Sequence, residues 1–183
     1  MKRWLVSAFA PFDGAATNSS WTALESLRQL DWRDQVEFTG PLPVSFADAW
    51  PALERKIRPD FDGVLALGQA EQRTTVTPER IALNWIDARI PDNCGVQPKG
   101  QRILASGPEV FWSNIAWDKM QLPENCEMSY SAGVFVCNQL MFQLMNWAKQ
   151  NSKLGGFIHI PLKMDNKVAA KIMAKLLMQL VES

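Results

Sequence analysis

The 183-residue sequence lacks several features that mark common classes of protein. It has no excess charge of either sign, because 19 Lys and Arg residues are balanced by 19 Asp and Glu residues. This balance argues against a nucleic-acid partner or an anionic membrane, since proteins that bind such surfaces carry concentrated positive charge. The longest apolar runs also fall well below the roughly 20 residues of a membrane span. We therefore expect neither nucleic acid nor membrane as a partner.

The sequence also has few residues that could bind metals, bind phosphates or form a disulfide framework. The three cysteines, Cys94, Cys126 and Cys137, form no CxxC pair, and an odd count suits a reducing compartment. The single histidine has no HExxH context, and no Gly-rich phosphate loop is present, so we expect no metal and no cofactor. The apolar start is short and is followed by a poor cleavage site. It therefore predicts a first strand of a cytoplasmic protein rather than a signal peptide.

Short apolar runs alternate with helical patterns along the chain, without an internal repeat or linker. The runs that predict strands are Trp4–Phe9, Val36–Val44, Gly63–Leu67 and Phe157–Ile160. The patterns that predict helices are Trp21–Leu30, Ser45–Ile57, Cys137–Lys149 and Asn166–Val181. A further helix is predicted to start at 106–109, and Ser19 or Ser20 is the predicted N-cap of the first helix. This alternation predicts a single α/β domain over residues 1–183. We expect a three-layer α/β/α sandwich with a mostly parallel, mixed central sheet.

In open α/β sheets the ligand crevice lies beyond the carboxyl ends of the strands, which directs attention to three side chains. His159 ends a strand and is the only imidazole available for proton transfer, although a histidine packed at a strand end is the commoner case. Cys137 lies where an extended run becomes helical, and a helix N-terminus favours a thiolate, although an isolated cysteine is usually inert. Glu79 could orient the imidazole, yet spacing alone barely separates it from other carboxylates.

Seven segments support the choice of Cys137, His159 and Glu79. They resemble, in the same order along the chain, segments of the pyroglutamyl-peptidase I (pyrrolidone-carboxylate peptidase) family of cysteine peptidases. They are FAPFDG at 9–14, LPVSF at 42–46, LGQA at 67–70, TPERIALN at 77–84, DARIPDN at 87–93, AGVFVCN at 132–138 and GFIHIP at 156–161. They extend over nearly the whole chain. The combination of TPER, ARIPDN and FVCN is far more specific than any one short motif.

The resemblance implies that Glu79, Cys137 and His159 form a catalytic triad and that the fold is an α/β/α sandwich. It also implies hydrolysis of the amide after an N-terminal pyroglutamyl residue of peptides or amides, through a thioester intermediate. By the same similarity we expect Arg89 to assist at the oxyanion. The expected substrate-binding residues are Phe9, Phe12, Gln69 and Phe135. Self-association into a homo-oligomer follows only by analogy with the family.

The sequence also departs from the family's pattern in ways that keep an alternative open. Asp13-Gly14 stands where the family has Gly-Gly, and the chain is shorter than the family between Trp112 and Ser129 and again after Ile160. The intact triad positions favour an active peptidase. The shortened periphery and Asp13 favour instead a degenerate, non-catalytic member that acts as a binding or assembly protein. A hydrolase for another small amide would share the mechanism and differ only in its pocket.

Overall fold

The structure, a computed structural model, describes all 183 residues and contains seven strands, four α-helices and one short 3₁₀ helix. The strands are β1 (Trp4–Phe9), β2 (Val36–Leu42), β3 (Gly63–Ala70), β4 (Thr77–Pro78), β5 (Ile81–Leu83), β6 (Val110–Trp112) and β7 (Leu154–Pro161). The helices are α1 (Ser19–Leu27), α2 (Ala49–Glu54), α3 (Val136–Asn151) and α4 (Asn166–Glu182), with the 3₁₀ helix at Trp117–Lys119. None of the helices combines the length and the apolar character needed to cross a bilayer.

Five strands form the central sheet in the order β2-β1-β3-β7-β4. The pairs β1–β2, β1–β3 and β3–β7 are parallel, and the short edge strand β4 runs antiparallel to β7. This arrangement confirms the mostly parallel, mixed sheet. Strand β2 lies on one side of β1 and β3 on the other. The chain therefore reverses its direction of winding beside β1, which is where open α/β sheets form ligand crevices.

Alternation along the buried strands sends side chains to two separate cores. In β1, Trp4 and Val6 belong to one cluster of 22 buried residues, whereas Leu5 and Phe9 belong to another. Helices α1 and α4 contribute to the first cluster, and α2 and α3 contribute to the second. Helices therefore cover both faces of the sheet, as predicted for a three-layer sandwich.

Helix boundaries and one predicted helix differ from expectation. Helix α1 is capped by Asn18, not by Ser19 or Ser20, because Asn18 has the extended backbone of an N-cap and its side chain accepts from the Ser20 N–H. Helix α2 begins only at Ala49. The predicted helix starting at 106–109 is wrong. Those residues lead instead into β6, which pairs with β5, and Arg102 donates to the Gly107 carbonyl and to Glu109.

Candidate active site

The start of α3 presents Cys137 to the carboxyl ends of the central strands. The chain passes through Gly133 with φ of +80°, a conformation that favours glycine, and enters the helix from the extended Phe135. No side chain caps this helix, so its first-turn N–H groups are left without a side-chain acceptor. Cys137 packs beside β3 at Gly68. A Cβ added there would lie 2.9 Å from the Cys137 Sγ and 2.7 Å from the Phe157 ring.

His159 and Glu79 form a buried pair held by β7 and by the residue that follows β4. His159 lies in β7 on the same face as Phe157, and Glu79 directly follows β4, which pairs with β7. The His159 Nδ1 and the Glu79 Oε1 are 2.6 Å apart, and the Glu79 backbone N–H donates to the Phe157 carbonyl at 2.9 Å. A carboxylate only accepts, so Nδ1 carries the proton and Nε2 keeps a free lone pair.

Cys137 and His159 line one cavity of about 170 Å³ at the carboxyl ends of β1, β3 and β7. Its walls are mostly apolar and contain no Asp, Glu, Lys or Arg side chain: Phe9, Phe12, Asn18, Val44, Gln69, Ala132, Phe135, Val136, Cys137 and His159. The crevice expected at the strand ends is therefore present. It combines a thiol, an imidazole with an acidic partner and an uncharged pocket. This combination fits a thiol–imidazole hydrolase for a small neutral acyl group.

Comparison with known proteins agrees with this arrangement. A family model described as pyroglutamyl peptidase matches residues 2–179. The pyrrolidone-carboxylate peptidase of Bacillus subtilis is 38% identical over 170 residues, which cover 87% of this chain and 78% of that protein. The chain belongs to the pyroglutamyl peptidase family. The protein is thus a cysteine peptidase of the α/β class.

Solved structures of the family show the same fold. The crystal structure of Bacillus amyloliquefaciens pyroglutamyl peptidase I superposes with a TM-score of 0.91 at 29% identity, covering 100% of this chain and 98% of that one. A mutant pyrrolidone carboxyl peptidase from P. furiosus gives 0.88 at 26% identity and covers 99% of both chains. The fold of this peptidase therefore follows the family architecture along nearly the whole chain.

The structure brings most of the predicted site residues of this peptidase together. Phe9, Phe12, Gln69 and Phe135 all line the cavity with Cys137 and His159, and Glu79 lies directly behind the imidazole. The Phe12 and Phe135 ring centroids are 6.5 Å apart, which gives the pocket an aromatic wall. The Gln69 Oε1 accepts from the Ser19 N–H at 2.8 Å, which orients the amide and leaves both Nε2 donors available to a ligand.

Two predicted features lie outside the cavity of the peptidase. Arg89 is exposed and is not among the lining residues, and its backbone carbonyl accepts from Gln97. Asp13 is also exposed, with φ of 52°, and the following Gly14 has φ of 72°. The Asp13 charge thus lies in solvent and not among the pocket walls. This placement removes one of the two reasons for expecting a degenerate pocket.

Burial makes the neutral forms of both reactive groups favourable. It lowers the pKa of His159 below the usual value, an effect that Arg73 reinforces and the hydrogen bond to Glu79 opposes. Burial, with a smaller contribution from Glu79, raises the pKa of the Cys137 thiol to about 12. Desolvation therefore opposes the thiolate expected from the helix N-terminus and favours the neutral thiol.

The residue that sequence reasoning missed is Arg73. Its Nη1 donates to the Glu79 Oε1 at 2.5 Å and also to the Thr77 hydroxyl, and its Nη2 donates to the Ser131 carbonyl at 2.7 Å. A buried carboxylate requires a charged or hydrogen-bonding partner, and that rule applied to Glu79 would have directed attention to nearby arginines. The lining residues Asn18, Val44, Ala132 and Val136 were also missed. Their residue types carry no signal that separates them from ordinary packing.

Proposed function

We propose that this peptidase hydrolyses the amide bond after an N-terminal pyroglutamyl residue, with Cys137 as nucleophile, His159 as base and acid, and Glu79 as the orienting carboxylate. The observation that carries the proposal is the shared cavity. A thiol and an imidazole backed by a buried carboxylate line one uncharged pocket at the strand ends. Membership of the pyroglutamyl peptidase family supports the same substrate class.

The reaction begins with a neutral pair. His159 Nε2 takes the proton of the Cys137 thiol as sulfur attacks the pyroglutamyl carbonyl carbon. Glu79 keeps the proton on Nδ1 and stabilises the imidazolium that forms. Collapse of the tetrahedral intermediate breaks the carbon–nitrogen bond, and His159 returns its proton to the leaving amine. A water molecule, deprotonated by His159, then attacks the thioester, which releases pyroglutamate and regenerates the thiol.

The negative oxygen of the tetrahedral intermediate requires donors that are already in place. The first-turn N–H groups of α3 meet this requirement, because no side chain caps the helix and Val136 and Cys137 both line the cavity. The expected contribution of Arg89 requires its exposed side chain to turn toward the cavity. Backbone donors are therefore the oxyanion hole of this proposal, and Arg89 keeps at most an assisting role.

The pocket chemistry suits a pyroglutamyl ring. The lactam is neutral and has flat apolar faces, which fit against the aromatic wall of Phe12 and Phe135 without an acidic anchor. Gln69 is oriented by Ser19 so that its Nε2 can donate to the lactam carbonyl. A prolyl residue has the same ring size, but its amine is cationic and it lacks the carbonyl. The uncharged walls therefore disfavour it.

A comparison of three substrates tests this assignment. The same fluorescent amine is attached to pyroglutamate, to proline and to N-acetylalanine, and its release is followed under reducing conditions. We expect a kcat/KM for the pyroglutamyl amide that is on the order of 100-fold or more above the others, since a site built to pair a polar group rejects analogues that lack it. Equal turnover of the prolyl amide would contradict the pocket argument. Cleavage of the acetylalanyl amide alone would contradict the whole substrate class.

Three broader features are also part of this proposal. A single domain over residues 1–183 is supported by one central sheet covered on both faces. A reducing, cytoplasmic setting is supported by three free cysteines, one of which must stay unoxidised to act. A homo-oligomer stays a prediction by analogy with the family, and sedimentation of the purified protein measures it.

A further inference from the structure

One arginine connects the two halves of the site. Arg73, in the loop between β3 and β4, donates through Nη1 to the carboxylate of Glu79 and through Nη2 to the carbonyl of Ser131. Glu79 holds His159, whereas Ser131 directly precedes Ala132, a wall of the cavity, in the segment that leads to Cys137. A single planar guanidinium therefore joins the histidine side of the site to the cysteine side.

The hydrogen bonds of Glu79 make this contact more than a surface ion pair. Glu79 is fully buried, and its Oε1 receives both Arg73 and His159, whereas its Oε2 is buried without a hydrogen-bond partner. The orientation of the carboxylate thus depends on the two donors at one oxygen. Without Arg73, His159 would be the only side chain that holds Glu79 in place. Glu79 is buried and the Arg73 side chain is only 24% exposed, so this forked contact fixes geometry in a way that fully exposed pairs do not.

The geometry points to Arg73 as a positioning residue that sets the spacing between His159 and Cys137 through Glu79 and the Ser131 carbonyl. Arg73 does not line the cavity, so it has no contact with a bound acyl group. Its loss should therefore reduce kcat much more than it changes KM. This inference rests on the proposed function only in taking Cys137, His159 and Glu79 as the working groups.

The charge of Arg73 gives a second, independent signature. The charged groups that act on the two reactive side chains are Glu79, next to β4, and Arg73, from the loop after β3. Arg73 lowers the pKa of both Cys137 and His159 because a nearby positive charge favours a thiolate and disfavours an imidazolium. Removal of this charge should move both titrations to higher pH. A role confined to folding would leave them where they are.

The experiment uses two substitutions with opposite properties and one matched control. Arg73→Gln keeps a hydrogen-bond donor but removes the charge, whereas Arg73→Lys keeps the charge but cannot span two acceptors with a fork. Arg102→Gln is the control. Arg102 also connects a glutamate, Glu109, to a backbone carbonyl, that of Gly107, but it lies outside the cavity and the triad. For each protein, kcat and KM are measured together with the pH dependence of Cys137 alkylation by iodoacetamide, read by peptide mass mapping.

We expect Arg73→Gln to lower kcat by about 10-fold or more with KM within about 3-fold, as for a misplaced catalytic pair. At a fixed pH below about 9, alkylation of Cys137 in Arg73→Gln should be slower than in wild type by about 3-fold or more, because a thiol pKa raised by half a pH unit leaves about a third of the thiolate. Arg73→Lys should lower kcat but keep the wild-type alkylation rate, and Arg102→Gln should match wild type in both. If Arg73→Gln does not fold, the kcat of Arg73→Lys decides the matter.

Three results would overturn the inference. They are a wild-type rate of Cys137 alkylation in Arg73→Gln, a loss carried wholly by KM, and a wild-type kcat in Arg73→Lys. The alkylation series needs no pyroglutamyl substrate. If the wild-type protein fails to cleave pyroglutamyl amides, the proposed function is wrong, yet the alkylation rates still test the role of Arg73.

Discussion

Two substitutions of Glu79 should differ sharply because one oxygen of this residue makes both of its side-chain contacts. His159 Nδ1 and Arg73 Nη1 both meet Oε1, and Oε2 has no partner. In Glu79→Gln, the amide oxygen can occupy the Oε1 position and accept from both donors. The histidine then keeps its tautomer, and only the negative charge is lost. In Glu79→Ala, the acceptor itself disappears and nothing holds the imidazole.

The contacts set the size of each effect. Replacing a charged acceptor by a neutral one reduces a hydrogen bond by about 1–2 kcal/mol, which corresponds to roughly 5–30-fold in kcat for Glu79→Gln. Loss of orientation in Glu79→Ala should cost about 10³-fold or more, as in other nucleophile–histidine–carboxylate sites. The new amide NH₂ would take the unpartnered place of Oε2, so Glu79→Gln should also lose about 1–3 kcal/mol of stability.

Release of a fluorescent amine from a pyroglutamyl amide gives kcat for both variants, and thermal unfolding gives the stability change. If kcat of Glu79→Gln exceeds that of Glu79→Ala by about 30-fold or more, the result supports Oε1 as the shared acceptor of His159 and Arg73. Equal losses in the two variants would refute it, because the amide would then have turned its NH₂ toward His159. Wild-type activity in Glu79→Gln would show that the charge is not used at all.

Three further predictions concern the walls of the cavity and its pH dependence. Gly68→Ala should lower kcat by about 10-fold or more, since the new methyl group would displace the Cys137 sulfur, whereas Gly155→Ala meets the flexible end of a methionine and should spare kcat. Burial lowers the pKa of His159, so the acid limb of kcat/KM should lie below about pH 6.5, while alkylation of Cys137 in the free enzyme should keep increasing above about pH 9. Phe12→Ala should raise KM by about 10-fold with a smaller change in kcat, because it removes an aromatic wall of the pocket and no reacting group. Kinetics of wild type and the purified variants on the pyroglutamyl amide measure kcat, KM and the acid limb, and iodoacetamide labelling followed by peptide mass mapping measures the alkylation of Cys137.

Much of the fold could be predicted because the buried strands are short apolar runs with clear ends. Trp4–Phe9 has the same bounds in the structure as in the prediction, and the ends of the long helices α3 and α4 differ by at most two residues. The prediction was wrong where a local helix signal competed with strand pairing between distant residues. The Ser106–Glu109 spacing fits a capping box, but pairing of β6 with β5 outweighs it. Such a two-stranded contact involves distant residues and leaves no local signature.

The candidate site was likewise only partly predictable from the sequence. Cys137 and His159 could be selected because each residue lies at the end of a regular element, and such ends meet at one edge of the sheet. The partnership of Glu79 with His159 depends on β4 pairing with β7, which connects residues 80 positions apart. The contact of Arg73 with Glu79 could have been sought near a buried carboxylate, but its contact with Ser131 could not be placed, for a similar reason. Its partners are Glu79, six residues away, and Ser131, which only the folded chain brings near.

The central claim is that Cys137 is the nucleophile, and a pair of cysteine substitutions tests it most directly. Cys126 serves as the control because it is also a half-buried free cysteine but lies outside the cavity. Release of the fluorescent amine from a pyroglutamyl amide is measured under reducing conditions for wild type, Cys137→Ala and Cys126→Ala, each shown to be folded by circular dichroism. The account predicts turnover in wild type and in Cys126→Ala and no detectable turnover in Cys137→Ala. Turnover by Cys137→Ala within about 10-fold of wild type would contradict it.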